Sequence, residues 1–149
     1  MEKLAVISSS PLFEMLSSTE LSHLAELSEQ LRYGVGELVF EEGELGDCLY
    51  VIIRGEVEVV RRDGGGQPRT LTVLTAPDFF GEMSLIDKEY RSATVRARSE
   101  AMLLRLTAQQ LAAFRQSHRD GFTFVVINIA RILSSRVREA NARLTARQA

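Results

Sequence analysis

Glu82 and Arg91 are the residues of this chain best suited to chemistry, and they sit in the stretch GEMSLIDKEYRSATV (residues 81–95). A phosphate diester keeps its charge at neutral pH, so burying one requires a fixed cation and several hydrogen-bond donors. Arg91 offers the cation, as a planar guanidinium able to make two parallel bonds to phosphate oxygens. One helical turn over Glu82–Ile86 would aim free backbone N–H groups at the same anion. Gly81 and Ser84 are small enough to allow close approach, and Ser92 adds a hydroxyl. A carboxylate beside a phosphate repels it, so Glu82 makes sense as the acceptor for a ligand hydroxyl such as a ribose 2′-OH. The stretch then describes a ligand with an anion and a sugar hydroxyl on one edge, as in a nucleoside cyclic phosphate. The alternative is that Glu82 and Arg91 pair with each other beside an ordinary strand. It ranks second because it leaves the glycine, the small residue at 84 and the intervening loop without a reason.

Such a stretch needs elements to hold it. The first thirty residues read as helical: Pro11 opens a segment, Thr19 is a plausible N-cap, and Leu21, Leu24, Leu27 and Leu31 recur at three- and four-residue steps. From Tyr33 glycines arrive at 34, 36, 43, 46 and 55 between short β-rich runs. ELVFEEGE, DCLYVIIRGEVEVVRR, PRTLTVLTAPDFF, RSATVRARS and AMLLRLT read as strands of a small antiparallel barrel or roll. The triple glycine of RRDGGGQPR (61–69) lacks the lysine and hydroxyl of a nucleotide-triphosphate loop and predicts a hairpin connection. From Thr107, a threonine cap, the period is helical again, with a break at Asp120-Gly121 and a long helix to about Arg147. Phe122, Val126, Ile129, Leu133, Val137, Ala140 and Leu144 form its apolar stripe. The second half of that stripe outruns what so small a body can cover, which predicts a homodimer through this helix.

Composition narrows the function classes. The 149 residues, 45% hydrophobic and 26% charged, suit one globular domain. The N-terminus lacks the pattern of a signal peptide, and the most apolar stretch, FTFVVINIARIL, is broken by Asn128 and Arg131, short of the roughly 20 residues of a membrane span. A cytoplasmic protein without a membrane partner is expected. The single cysteine, Cys48, excludes an internal disulfide framework. His23 and His118 stand far apart in helical segments, read as solvent-facing, with no metal-ligand spacing about them. Neither a metal-dependent barrel enzyme nor a nucleophile with a nearby histidine is legible, so the chain reads as no enzyme and needs no cofactor. Net charge is −2, yet residues 1–114 carry 11 Lys+Arg against 18 Asp+Glu and residues 115–149 carry 7 against 2. Without a recognition motif the basic tail reads as a solvated face, with no specific nucleic acid partner.

FFGEMSLIDKEYRSATV resembles the phosphate-binding cassette of the cyclic nucleotide-binding domain family, in which F-G-E-[aliphatic]-[small]-L is followed by R-[small]-A-[small]. VFEEGELGDCLYVIIRGEVEVV is similar to that family's glycine-punctuated roll, with Gly43, Gly46-Asp47 and Gly55 in the expected relation. The resemblance covers essentially the whole chain. It implies an α+β fold: an antiparallel, jelly-roll-like β-roll (33–106, cassette 80–94) flanked by N-terminal helices (1–32) and C-terminal helices ending in a long one (107–149), all one domain. It implies that cAMP or cGMP is the ligand. Arg91 would bind the cyclic phosphate, Glu82 the ribose 2′-OH, Ser92 the phosphate or base edge, and the backbone of Gly81, Glu82, Met83 and Ser84 the phosphate and ribose, with Ala93 the small residue of the motif. The last helix would close over the base, with Leu133, Arg136 and Val137 as candidates and Arg136 preferred. Tyr90 stands where the family often has proline. The resemblance also implies a sensor that moves its C-terminal helices and signals to a separate effector protein or across its own dimer. Regulators of the catabolite-activator type continue into a DNA-binding domain, and this chain is expected to stand alone without one. A roll that has lost its ligand and serves as an interaction or dimerisation module is the second reading.

Overall fold

The computed structural model describes residues 2–86 and 89–148, with the side chains of residues 86 and 146–148 left aside. Asp87 and Lys88 of the expected cassette, with Met1 and Ala149, lie outside the described residues.

Helix α1 (Glu2–Ser9), a 3-10 turn (Pro11–Phe13) and α2 (Ser18–Leu27) form the N-terminal layer. Pro11 sits at the first position of its turn, where a missing N–H costs nothing. Ser17, rather than Thr19, caps α2. Its Oγ accepts from the Glu20 N–H at 3.2 Å and the Glu20 carboxylate accepts from the Ser17 N–H at 2.8 Å. Of the three hydroxyl residues in SSTE, only Ser17 has a glutamate three positions on, and that reciprocity selects it. The helix also stops earlier than its leucine spacing predicts. Residues Glu29–Tyr33 are strand β1, with Leu31 opposite Leu103, because cross-strand pairing outweighs a helical periodicity that Leu31 merely fits.

Seven further strands follow: β2 (Leu38–Phe40), β3 (Cys48–Arg54), β4 (Glu56–Arg62), β5 (Pro68–Thr75), β6 (Phe79–Phe80), β7 (Thr94–Ala97) and β8 (Ala101–Thr107). They make two antiparallel four-stranded sheets, ordered β1-β8-β3-β6 and β2-β7-β4-β5. The glycine run is the β4–β5 hairpin turn, where the Gly66 N–H donates to the Asp63 carbonyl at 2.9 Å.

Strand β3 explains how two cores share one sheet. CLYVIIR is buried throughout from Cys48 to Ile53 instead of alternating, because both of its faces are covered. Leu49, Val51 and Ile53 join Leu104, Leu12, Phe114 and Ile129 in a core beneath the helices. Cys48, Tyr50 and Ile52 join Val57, Phe80, Val95 and Leu103 inside the roll.

The C-terminal layer is α4 (Ala108–Ser117) and α5 (Arg119–Gln148). Thr107 caps α4 through the Gln110 N–H at 3.0 Å, as its sequence predicts. The break falls at His118 (φ −138°, ψ 72°) and not at Asp120-Gly121. Gly121 lies inside α5, where a Cβ would run into the Glu20 carboxylate and within 3.0 Å of the Phe114 ring; it serves close packing rather than a turn. The histidines are not solvent-facing either. His23 and His118 are half-buried with ring centroids 5.1 Å apart, both against Phe114. Among the described residues, no group of three His, Cys, Asp or Glu could hold a metal ion, and no helix is long and apolar enough to cross a membrane.

The face of α5 turned to the body is Phe122, Val125, Ile129, Ile132 and Leu133, with the buried Asn128 among them. Val126 of the expected stripe points outward at 38% exposure, since the burial line runs through 125 instead. Beyond Arg136 the helix leaves the body: Val137 and Leu144 are 60% and 55% exposed.

Candidate functional site

Arg91 arrives in its pocket on a short zipper. Its N–H donates to the Glu44 carbonyl at 2.6 Å, its carbonyl accepts from the Gly43 N–H at 2.8 Å, and the Gly46 N–H donates to the Glu89 carbonyl at 3.0 Å. Leu45 and Tyr90 form the bridge between the two segments. The loop 41–47, EEGELGD, therefore fixes the arm that carries the arginine.

The guanidinium then turns inward, and Arg91 as a residue is only 8% exposed. Nη1 donates to Ser84 Oγ at 3.0 Å, and Nη2 donates to the Cys48 carbonyl at 2.8 Å, with Cys48 Sγ 3.5 Å away. Its carbon lies 4.1 Å from the centroid of the Phe40 ring, which packs with Tyr50 and Phe80. Burial pushes the Tyr50 phenol far up, with a hydrogen bond to Cys48 adding to it. Among the described residues no carboxylate pairs with Arg91. Neutral acceptors and an aromatic face hold the cation in place without cancelling its charge.

Two glycines make room for it. A Cβ on Gly46 would stand 2.6 Å from the guanidinium carbon and collide with Ser84 Oγ; one on Gly81 would stand 2.7 Å from Arg91 Nη1. Gly81 also has φ +81°, a conformation that a side chain strains.

The cavity in front of Arg91 has a volume of about 220 Å³. Gly81, Met83, Ser84, Arg91, Ser92 and Ala93 all line it, so six of the eight residues singled out from the sequence converge there. Helix α3 (Met83–Ile86) is a single turn as expected but starts one residue later, and its Ser84 and Leu85 N–H groups are not free for an anion, because they donate to the Gly81 and Glu82 carbonyls at 3.2 and 3.1 Å. Ser92 is exposed, and its carbonyl accepts from Arg61 Nε at 3.0 Å.

Glu82 and Arg136, the remaining two, are elsewhere but together. Glu82 is 5% exposed, does not line the cavity, and accepts from Arg136 Nη1 at 2.6 Å. The pairing of Glu82 with Arg91 weighed from the sequence is therefore absent among the described residues. Arg136 also lies 5.4 Å from the Phe79 ring centroid. Of the three candidates on the last helix, Arg136 reaches the cassette, Leu133 packs on the helical core, and Val137 points to solvent.

The apolar lining escaped sequence reading. Phe40, Val59, Phe80 and Val95 supply it, each one hydrophobe in a strand full of them, and Glu89 and Tyr90 complete the rim of the cavity. Phe80 adjoins the motif, but Phe40 reaches Arg91 only through tertiary pairing, which no local pattern reveals.

Comparison with known proteins follows the same line. Residues 30–118 match the family described as cyclic nucleotide-binding domain. Over 136 residues the chain is 37% identical to the cyclic AMP receptor protein of Thermus thermophilus, covering 91% of this chain and 61% of that protein. It thus spans less than two thirds of that relative's length. A crystal structure of a cyclic nucleotide-binding domain from Methylobacillus flagellatus has a TM-score of 0.83 at 26% identity, covering 98% of this chain and 82% of that one. The N-terminal domain of a transcriptional regulator from Streptomyces coelicolor has a TM-score of 0.81 at 29% identity, covering 93% and 94%.

Proposed function

Because the chain belongs to the cyclic nucleotide-binding domain family, we propose that residues 1–149 form one regulatory unit that binds cAMP or cGMP and signals through α5. The observation that carries this reading is Arg91: a buried cation, left without a carboxylate partner among the described residues, facing an open cavity. An uncompensated buried charge is costly, and an entering anion supplies what the fold withholds.

In the bound state Arg91 takes the cyclic phosphate through its fork, with Ser84 beside it and the backbone of residues 81–84 close by. Glu82, buried behind the cavity wall in this pose, accepts from the ribose hydroxyl once the entering ligand opens that edge. One carboxylate oxygen already accepts from Arg136, which leaves the second for the sugar and cancels charge that would otherwise repel the phosphate. Ser92 and Ala93, which line the cavity beside Arg91, take the phosphate or the base edge. A pose of α5 that sets Arg136 on Glu82 is then favoured by ligand, and this difference in affinity between poses is the signal.

Isothermal titration of nucleotide-free protein with cAMP and with cGMP tests this reading. Micromolar or tighter binding of one of them is expected. Arg91→Ala should cost on the order of 2–5 kcal/mol, as for truncation of other buried charge partners, or roughly 30-fold or more in affinity. Unchanged affinity in Arg91→Ala overturns the assignment. No heat with either nucleotide turns the reading to a ligand-free interaction module.

The output surface is the outer half of α5. Val137 and Leu144 are exposed there, and a second copy of the same helix would cover them, giving a homodimer with a coiled-coil seam. Light scattering on the intact chain should give a dimer mass that Val137→Glu with Leu144→Glu reduces to a monomer. A wild-type monomer at tens of micromolar, roughly the range in which weak homodimers assemble, overturns the dimer.

A further inference from the structure

Asn128 is the polar residue buried deepest in α5, at 3% exposure among apolar neighbours. Its side-chain amide donates to two carbonyls of the N-terminal layer, Leu12 at 3.0 Å and Glu14 at 2.9 Å. Those carbonyls belong to the 3-10 turn and the bend that follows it, where Met15 holds φ at +75° despite carrying a side chain. A non-glycine residue in that region is strained and persists only where its surroundings fix it. The strained bend and the buried amide meet in one contact. Apolar packing alone would be served better by leucine at 128, because leucine can slide along a greasy surface and two directed hydrogen bonds cannot.

Arg136 lies eight residues, about two turns and 12 Å, farther along the same helix, and the intervening Ile132 and Leu133 are half-buried on the same side. A tilt of about 10° at Asn128 displaces Arg136 by about 2 Å over that lever. Its bond to Glu82 is 2.6 Å long, and hydrogen bonds are lost well within such a displacement.

The geometry points to Asn128 as a positioning residue: by pinning α5 to the bend at residues 12–15 it sets Arg136 on Glu82, and so couples the N-terminal helices to the ligand pocket. The effect on ligand rests on the cyclic nucleotide reading above; the effect on Arg136 does not.

Two readouts on the full chain test it, using Asn128→Leu, Arg136→Ala and the double variant. Without ligand, the Arg136 Nη1 protons, which donate to Glu82, should be protected from solvent exchange in the wild type. In Asn128→Leu their exchange should rise to the rate of the exposed Arg143. With cAMP or cGMP, Asn128→Leu should weaken binding about fivefold when Arg136 is present and leave it unchanged in the Arg136→Ala background, as expected of residues acting in series. Should Asn128→Leu fail to fold, Asn128→Ser, which shortens the reach of the donor, carries the same readouts. Persistent Arg136 protection in the variant overturns the proposal, as does an equal loss of affinity in both backgrounds, which is the mark of a merely structural role. A chain that binds neither nucleotide sinks the ligand reading alone, and the exchange still decides this one.

Discussion

Arg91 and Arg136 are both guanidiniums brought to the same cassette, and the fold treats them oppositely. Arg91 is 8% exposed and held by a hydroxyl, a carbonyl and an aromatic face. The side chain of Arg136 is 52% exposed and has a carboxylate that is itself almost wholly buried. The buried cation is kept open to an incoming anion, whereas the exposed one neutralises a buried acid. The difference teaches where an external ligand is needed. Pairing Arg91 internally would have been cheaper for stability, and the absence of an ion-pair partner for it among the described residues makes sense as a vacancy in charge beside a vacancy in space.

The sharpest way to break this contrast is to fill the space that Arg91 uses. Gly46→Val places a branched side chain where even a Cβ meets the guanidinium at 2.6 Å. Arg91 must then leave its bonds to Ser84 and Cys48. Nucleotide affinity should fall by about 100-fold or more, the equivalent of about 3 kcal/mol. Titration of the folded variant checks it, and retention of affinity within threefold would mean that the site does not depend on this pose.

Arg136→Ala probes the other half of the comparison and should be milder. It strands the Glu82 carboxylate close to the incoming phosphate, and affinity should fall by about three- to tenfold, or 0.7–1.4 kcal/mol. Adding Glu82→Gln removes the stranded charge, so the double variant should bind better than the sum of the two losses predicts. Strict additivity in that cycle would separate Arg136 from Glu82 in function despite their contact.

The contrast between these arginines also marks how far the sequence could be read. Arg91 and the cassette were legible because glycine, small residues and one arginine at fixed spacing have few other uses, and the alternating strands and capped helices that carry them follow local rules. Arg136 was reachable only through position along a helix. Its partner Glu82 lies 54 residues away, and the sequence offers a carboxylate nearer to hand for almost every arginine. The failures share this cause. Strand β1 was hidden because Leu31 satisfies a helical step as well as a strand pair, and in the body-facing half of α5 Val126 gives way to Val125 while Phe122, Ile129 and Leu133 stay inward, because burial follows the body it meets. His23 and His118 were read apart because nothing local says that α2 and the α4–α5 joint touch. Phe40, beneath Arg91, is one more contact made by topology.

A third arginine completes the series and predicts the smallest effect. In the β4–β5 turn, Arg69 Nε donates to Asp63 at 2.9 Å at the surface, and Asp63 also accepts from the Gly65 and Gln67 N–H groups at 2.9 and 3.0 Å. The Arg69 hydrogen bond first, then the backbone donors, hold the Asp63 carboxyl below its usual range. A depressed folded-state value means that the carboxylate contributes stability above its ordinary titration near about pH 4 and loses it as pH falls through the lowered value. Asp63→Asn should therefore lower the melting temperature at pH 7 by only about 1–2 °C, and the difference should close as the pH falls through that lowered value. Nucleotide affinity should not move, since the turn supplies no residue to the cavity. Melting curves from pH 7 downward check the first point and titration the second. A loss of affinity comparable to that of Arg136→Ala would mean that the hairpin, and not only the helix, reports to the site, and the division between an open buried cation and a satisfied exposed one would have to be redrawn to include the arm through which Arg61 holds the Ser92 carbonyl.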